Sequence, residues 1–254
     1  MNILEISDVS KRFRGVQALD RCTLNVQAGT VHGIIGPNGA GKSTLMEIVS
    51  GGLKPDAGRI VFDGADITSH SRAKVARLGL LRSFQVPRLL PKVTVLENAM
   101  IARQHQAGES VVRSFFRRSW VSEEAEIMLT AGQALEEVGM RHKALALANA
   151  ISGGQAKLLD FGRAFIGDPR LVIFDEPVSG VNPRLRTELS RLILQLKERG
   201  TTVVVVEHNL AFLEDICDIV AVMVMGQVLM EGTLDDIRRD RRVVDAYLGK
   251  DMTA

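Results

Sequence analysis

The run Gly36 to Thr44, GPNGAGKST, sets two glycines, a lysine and a hydroxyl at the spacing GxxxxGK[ST]. Placed between an apolar strand-like run and a helix-like run, that spacing builds a phosphate cradle. Backbone N–H groups at a helix start converge on phosphate oxygens, and glycine lets the backbone approach closely. Gly36, Pro37, Asn38, Gly39, Ala40, Gly41, Lys42, Ser43 and Thr44 are therefore candidate nucleotide-binding residues. Lys42 would meet the β- and γ-phosphates, and Ser43 would ligate Mg²⁺. A second run, LVIFDE over residues 171–176, ends in two acids. Asp175 suits a Mg²⁺ ion held through water, and Glu176, just past it, suits orienting or deprotonating an attacking water. A third run, ISGGQ over residues 151–155, sets Gly153 and Gly154 directly before an apolar helix-like stretch. A glycine pair costs conformational entropy, so a bare backbone is needed there. Ser152, just ahead of the pair, reads as a helix N-cap.

Three segments can position these groups: VHGIIG (31–36), LVIFDE (171–176) and TTVVVVEH (201–208). They are β-branched and apolar on both faces, which suits central strands of a sheet covered on both sides. They end in Gly-Pro-Asn, Asp-Glu and Glu-His. Ligands of open α/β sheets bind at the carboxyl ends of strands, so the three polar clusters are expected to meet in one crevice. EISDVSKRF, ALDRCTLNVQAG and GRIVFDGADI alternate, with Asp63-Gly64 as a turn signal, and suit an antiparallel flank. From about residue 92 to 165 strand patterns are weak, while VTVLENAMIARQ and EEAEIMLTAGQALEEVG show helical spacing. The expected fold is α/β: a mainly parallel sheet, an antiparallel β flank and an inserted α-helical lobe. The expected organisation is one domain over residues 3–250, with the core at about 3–90 and 166–250 and the lobe at about 91–165.

Composition excludes several classes. A chain of 254 residues buries enough surface to fold without disulfides or metals. Two cysteines, Cys22 and Cys217, with no CxxC and no His/Cys cluster, fit a reducing compartment and no zinc site. The opening MNILEISDVS carries acids where a secretory signal has basic residues. The longest apolar runs, VVVV and IVAVMVM, fall far short of the roughly 20 residues that span a bilayer. A net charge of +2 weighs neither way on nucleic acid, and sparse aromatics argue against a single-strand stacking platform, so no nucleic-acid partner is expected.

The order of the P-loop, SFQ, ISGGQ, LVIFDEP and EHN resembles the ATP-binding cassettes of ABC transporters, across nearly the whole chain. A GTPase would need an Asn-Lys-x-Asp base reader, which the sequence lacks. The resemblance implies a P-loop NTPase core, with ATP and Mg²⁺ as cofactors. It also implies two cassettes packed head to tail, each ATP lying between the P-loop of one and the SGGQ of the other. The two glycine loops would then serve two different nucleotides, with Ser152, Gly153, Gly154 and Gln155 meeting the γ-phosphate held by the partner's Lys42. By the same resemblance Gln85 senses Mg²⁺ and links core to lobe, His208 contacts the γ-phosphate, and Phe13 stacks on adenine. Asn182, in VSGVNP, contacts the opposite subunit. The sequence departs from the family pattern at Ala156, Lys157 and Leu158 after SGGQ, at Gly162 inside the following helix, and at Asn209 after the histidine. None of these removes a catalytic group, so a hydrolysing site is expected.

Within the superfamily the chain resembles the LivG-type ATPases of branched-chain amino-acid importers. The resemblance lies in RSFQVPRLLPKVTVLENAMIARQ, in the segment HQAGESVVRSFFRRSW and in the ending DAYLG. It implies a peripheral subunit at the cytoplasmic face of the inner membrane. Its partners would be a second ABC ATPase subunit, identical or not, two membrane permeases and, indirectly, a periplasmic solute-binding protein. Phe115, Phe116 and Trp120 beside Arg113, Arg117 and Arg118 could rest on a membrane-embedded partner or lipid surface, or form a solvated loop with the rings turned inward. Related cassettes serve urea, short amides or lipopolysaccharide export. A soluble ABC ATPase of the iron–sulfur assembly type would share every nucleotide motif. A surface beside Gln85 able to receive a permease helix discriminates against that last class.

Overall fold

The computed structural model describes residues 1–83, 89–104 and 121–248. In chain order the first elements are β1 (Asn2–Phe13), β2 (Val16–Gln27), β3 (Val31–Ile35), α1 (Lys42–Val49), β4 (Ala57–Phe62), β5 (Ala65–Asp66), α2 (Arg72–Arg77), β6 (Leu80–Arg82) and α3 (Val95–Met100). There follow α4 (Val121–Glu137), α5 (Gly153–Gly167), β7 (Leu171–Asp175), α6 (Pro183–Glu198), β8 (Thr202–Val206), α7 (Leu210–Ile216), β9 (Ile219–Val224), β10 (Gln227–Gly232), α8 (Leu234–Arg239) and α9 (Arg241–Leu248). They form two compact units, one from Met1–Arg82 with the described residues from Arg170 onward, the other from the described residues of Ser83–Pro169.

The first unit holds two sheets. The six-stranded sheet runs β10-β9-β3-β8-β7-β6. Its internal pairs are parallel, and only β10 joins antiparallel, on β9. All five residues of β3 and all five of β8 are buried, as central strands of a sheet covered on both faces are. The four-stranded sheet, β2-β1-β4-β5, is antiparallel. Its β4–β5 turn uses Asp63 at φ 49° and Gly64 at φ 78°, the left-handed pair that a tight hairpin needs. One hydrophobic core joins Leu4, Ile6, Leu24, Ile60 and Phe62 of this sheet to Leu45, Met46 and Val49 of α1 and to Ile34, Ile173 and Val204 of the parallel sheet.

The register decides where chemistry can occur. Val206 pairs with Ile34 on one side and Asp175 on the other, so β3, β8 and β7 end level. The segments starting at Gly36, Glu176 and Glu207 therefore leave the sheet side by side. Three further strands lie in this sheet: β6, too short for a periodic signal, β9, an apolar run without alternation, and β10, which mixes polar and apolar residues.

The second unit is helical. Thr94 caps α3 in a reciprocal box with Glu97, and Ser152 caps α5 in another with Gln155. Leu135 and Val138 are buried in this unit, as are Leu159 and Phe161 of α5. Gly162 faces Val138, and a Cβ built on it would lie 3.4 Å from the Val138 Cγ2, an ordinary contact. Space alone therefore does not demand glycine there.

One core residue carries a pH signature. His32 on β3 is fully buried, and neither ring nitrogen has a hydrogen-bond partner among the described residues. The nearest carboxylate, Glu231, lies 4.0 Å from Nε2. Burial lowers the imidazole pKa from 6.5 to about 4. The folded protein keeps the ring neutral while the unfolded chain takes up a proton below its ordinary value. This contribution is complete above pH 6.5 and is lost as pH falls toward 4. Across that window urea unfolding should show wild type losing up to about 3 kcal/mol that a His32→Leu variant does not lose. Parallel pH slopes for the two proteins would remove His32 from the acid sensitivity.

Candidate functional site

The loop between β3 and α1 is shaped by its glycines. Gly36, Gly39 and Gly41 have φ of 154°, 80° and 100°. A Cβ on Gly41 would sit 2.5 Å from the Ala18 carbonyl oxygen, and one on Gly36 would collide with the Met223 carbonyl oxygen. The loop is thus pressed between β2 and β9, and the Gly226 N–H anchors it by donating to the Ala40 oxygen at 3.0 Å. Helix α1 starts with no side-chain cap and no acid in its first turn. A helix start without a capping side chain or an acid suits an anion, and the helix dipole adds to the attraction. Lys42 curls over the loop, with Nζ donating to the Gly36 oxygen at 2.6 Å and the Pro37 oxygen at 3.2 Å. Ser43 and Thr44 follow on the first turn.

The acid pair leaves the end of β7. Asp175 is half-buried, and its Oδ2 accepts from Arg82 Nη2 at 2.9 Å. The same guanidinium reaches Glu47 Oε2 on α1 at 2.5 Å, and Arg72 also binds Glu47. Arg82 thus ties the end of β6 to both the acid pair and the helix behind the phosphate loop. Glu176 turns sharply, at φ 47°, while its N–H donates to the Val206 oxygen at 2.9 Å. A left-handed backbone at a residue with a Cβ costs on the order of 1 kcal/mol, and such strain gathers at functional sites.

His208 follows β8 with its side chain 69% exposed, free to reach a bound ligand, and its Nδ1 lies 3.6 Å from Glu207 Oε2. Glu207 itself is 1% exposed. Sequence reading placed Glu207 in the Glu-His cluster without giving it a role of its own, and did not pick out Arg82. The available signal was a charged residue directly after an apolar strand, which burial makes costly unless it is paired. Phe13 ends β1 as an exposed residue, with the Lys11 ammonium 5.7 Å from the ring centre. An open aromatic face on a flanking hairpin is what a planar base needs.

The structure thus brings Gly36–Thr44, Asp175, Glu176 and His208 to the ends of three neighbouring strands. Asn182 caps α6, its Oδ1 accepting from the Leu185 N–H at 2.9 Å. In the helical unit, Ser152 Oγ accepts from the Gln155 N–H at 3.3 Å, and Gln155 Oε1 accepts from the Ser152 N–H at 2.9 Å. Gly153 has open space where a Cβ would stand. Gln85 and the 105–120 segment lie outside the described residues.

A phosphate cradle, a strand-end acid pair and a parallel α/β sheet define a nucleotide-hydrolysing P-loop protein, and the comparisons specify which kind. The ABC transporter family model matches residues 19–179, and the chain belongs to that family. It is an ATP-binding cassette, an ATPase whose hydrolysis is coupled to transport. A second model, for branched-chain amino acid ATP-binding cassette transporters, matches residues 227–253. The chain is 41% identical to a probable branched-chain amino acid transport ATP-binding protein LivG of Archaeoglobus fulgidus, covering 98% of this chain and 96% of that protein. It is 37% identical to the protein of the same description in Methanocaldococcus jannaschii, over 98% of each. Among solved structures it matches an ATP-binding cassette of an ABC transporter in its ADP conformation. That likeness has a TM-score of 0.83 and 36% identity, and covers 98% of this chain and 99% of the other.

Proposed function

We infer that this chain is the ATPase subunit of an importer for branched-chain or other hydrophobic amino acids. The observation that carries the reading is the end-to-end relation to the LivG proteins together with the match of the C-terminal segment. Those relatives are described as transport proteins, which favours transport over the iron–sulfur assembly class and amino acids over urea, amides or lipopolysaccharide. Two cassettes, identical or paired with a relative, close on two ATP molecules and move a pair of membrane permeases, to which a periplasmic binding protein delivers the solute. The cassette sits at the cytoplasmic face of the inner membrane. No helix among the described residues is long and apolar enough to cross a membrane.

In this reading Phe13 stacks on adenine while the Gly36–Thr44 backbone and Lys42 hold the phosphates. Ser43 and Asp175 would hold Mg²⁺, with Gln85, outside the described residues, as the further ligand the family resemblance implies. Hydroxyl, carboxylate and amide oxygens suit a hard cation. A site with so few protein ligands leaves room for phosphate and water, as Mg²⁺ requires. When bound, the ion supplies positive charge to the β- and γ-phosphate oxygens. Glu176 takes the proton of the attacking water, and His208 donates to the γ-phosphate. Ser152, Gly153, Gly154 and Gln155 of the second cassette cap the same phosphate, and Asn182 lies at the shared surface.

Expressed alone, the protein should stay in the soluble fraction, and co-expression with its permeases should carry it into membranes. The reconstituted assembly, with its binding protein, should take up leucine, isoleucine and valine when supplied with ATP. Tight binding of the isolated chain to bare liposomes would point to direct lipid attachment instead. Uptake of urea in place of leucine would overturn the solute.

A further inference from the structure

We propose that Glu207 is a positioning residue that locks the segment carrying Glu176 to the segment carrying His208. Its carboxylate is 1% exposed and is shared between the two segments. Oε1 accepts from the Val178 N–H at 3.0 Å, two residues past Glu176. Oε2 accepts from the His208 N–H at 2.9 Å and the Asn209 N–H at 3.2 Å. The Glu207 backbone is itself fixed, its N–H donating to the Ile34 oxygen of β3 at 3.2 Å. The side chain of this one residue therefore joins the ends of β7 and β8, and its backbone N–H adds the tie to β3, at the level where the phosphate loop also begins.

The chemistry requires a carboxylate there. Ionised, it is an acceptor on both oxygens, and the three N–H groups facing it are all donors. An amide of the same shape has one accepting oxygen and one donating NH₂. Turned either way it meets an N–H with an N–H, on the Val178 side or on the His208 side. Glutamine therefore keeps the volume and breaks the link. The strained turn at Glu176 heightens the need, because a left-handed backbone persists only where its surroundings over-determine it. His208, largely exposed, has little else among the described contacts to set its direction, and the Glu207 charge lies 3.6 Å from its Nδ1.

This inference rests on the reading that Glu176 and His208 act in hydrolysis, and the test separates the two. Turnover, ATP affinity and amide hydrogen exchange are measured on the purified cassette for wild type, Glu207→Gln, His208→Ala and the double variant. Glu207→Gln should lower kcat by about tenfold or more, while KM and ATP affinity stay within about threefold, since positioning acts on the chemical step. Exchange at Val178, or at His208 and Asn209, should accelerate. In the His208→Ala background the same change should cost much less, because groups acting through one another are not additive. Unchanged exchange at all three amides overturns the link. Faster exchange with wild-type turnover leaves the link but overturns its part in catalysis. A His208→Ala variant at the wild-type rate sinks the reading of His208 itself. Should Glu207→Gln fail to fold, Glu207→Asp decides: it keeps the charge but is one methylene too short to bridge both segments. The same loss in kcat alone is then expected, and a wild-type kcat overturns the proposal.

Discussion

Glu176→Gln should bind ATP as tightly as wild type and yet lose steady-state turnover by about 10²- to 10⁴-fold, the worth of a positioned general base. The amide matches the carboxylate in size and can still orient a water, but it cannot accept the proton. The residue lies outside the phosphate cradle, at the turn after β7, so the Lys42 contacts and the helix start remain intact. With hydrolysis blocked and binding retained, ATP should accumulate a stable dimer, visible as a doubled mass in size-exclusion chromatography with light scattering. Asp175→Asn is the companion variant. It should weaken nucleotide binding in a Mg²⁺-dependent way, since it touches the metal carboxylate and the Arg82 pair rather than the base. A Glu176→Gln protein that turns over ATP at the wild-type rate would remove this residue from the mechanism.

The second prediction concerns why one chain carries two glycine-rich helix starts, and it uses dimers of defined composition. Lys42→Ala damages a subunit's own phosphate cradle, because it removes the charge facing the β- and γ-phosphates. Ser152→Asp sets a negative charge at the start of α5, against a γ-phosphate presented there. Aspartate is itself a good N-cap, so the helix that Ser152 caps keeps its start and the test reads charge rather than unfolding. Each homogeneous variant should be inactive, since both shared sites then carry a fault. In a linked dimer of one Lys42→Ala subunit and one Ser152→Asp subunit, both faults fall in the same site. The other site joins a sound cradle to a sound signature, and roughly half the phosphate release should return, as independent sites add. Linking wild type to a subunit that carries both substitutions puts one fault in each site, and that dimer should be dead. If Ser152 served its own subunit's nucleotide the two results would exchange places. Phosphate release from the first dimer no greater than from the second would end the shared-site reading.

Much of this site was legible without coordinates because its parts are local. GPNGAGKST needs only a strand before it and a helix after it, and both neighbours announce themselves by apolar runs of the right period. The five-residue cores of β3 and β8 are apolar on both faces apart from His32 and Thr202, and such strands suit a covered sheet. Asp63-Gly64 declared its hairpin through backbone chemistry alone. Ser152 declared its cap in the same way, although the reciprocal bond from Gln155 emerged only in the structure. By contrast β9 and β10 were not singled out as strands: IVAVMV lacks the polar motif that follows β3, β7 and β8, and QVLMEG mixes polar and apolar residues without alternation.

The sequence by itself determined the chemical inventory: a phosphate cradle, two strand-end acids, a histidine after the third apolar strand and a second glycine-rich helix start. These are properties of short runs, where spacing along the chain equals spacing in space. What only the tertiary structure decided is which distant runs stand level. Val206 pairing with both Ile34 and Asp175 places Gly36, Glu176 and Glu207 at one edge, and no feature of any single run states that register. The roles of two charged residues that organise this edge were hidden for the same reason. Arg82 matters through Glu47 and Asp175, and Glu207 matters through Val178, His208 and Asn209. A buried charge is defined by its partners. The distant partners, Glu47 and Asp175 for Arg82 and Val178 for Glu207, come from separate segments of the chain, so folding, which sets the register, also assigns these two residues their work.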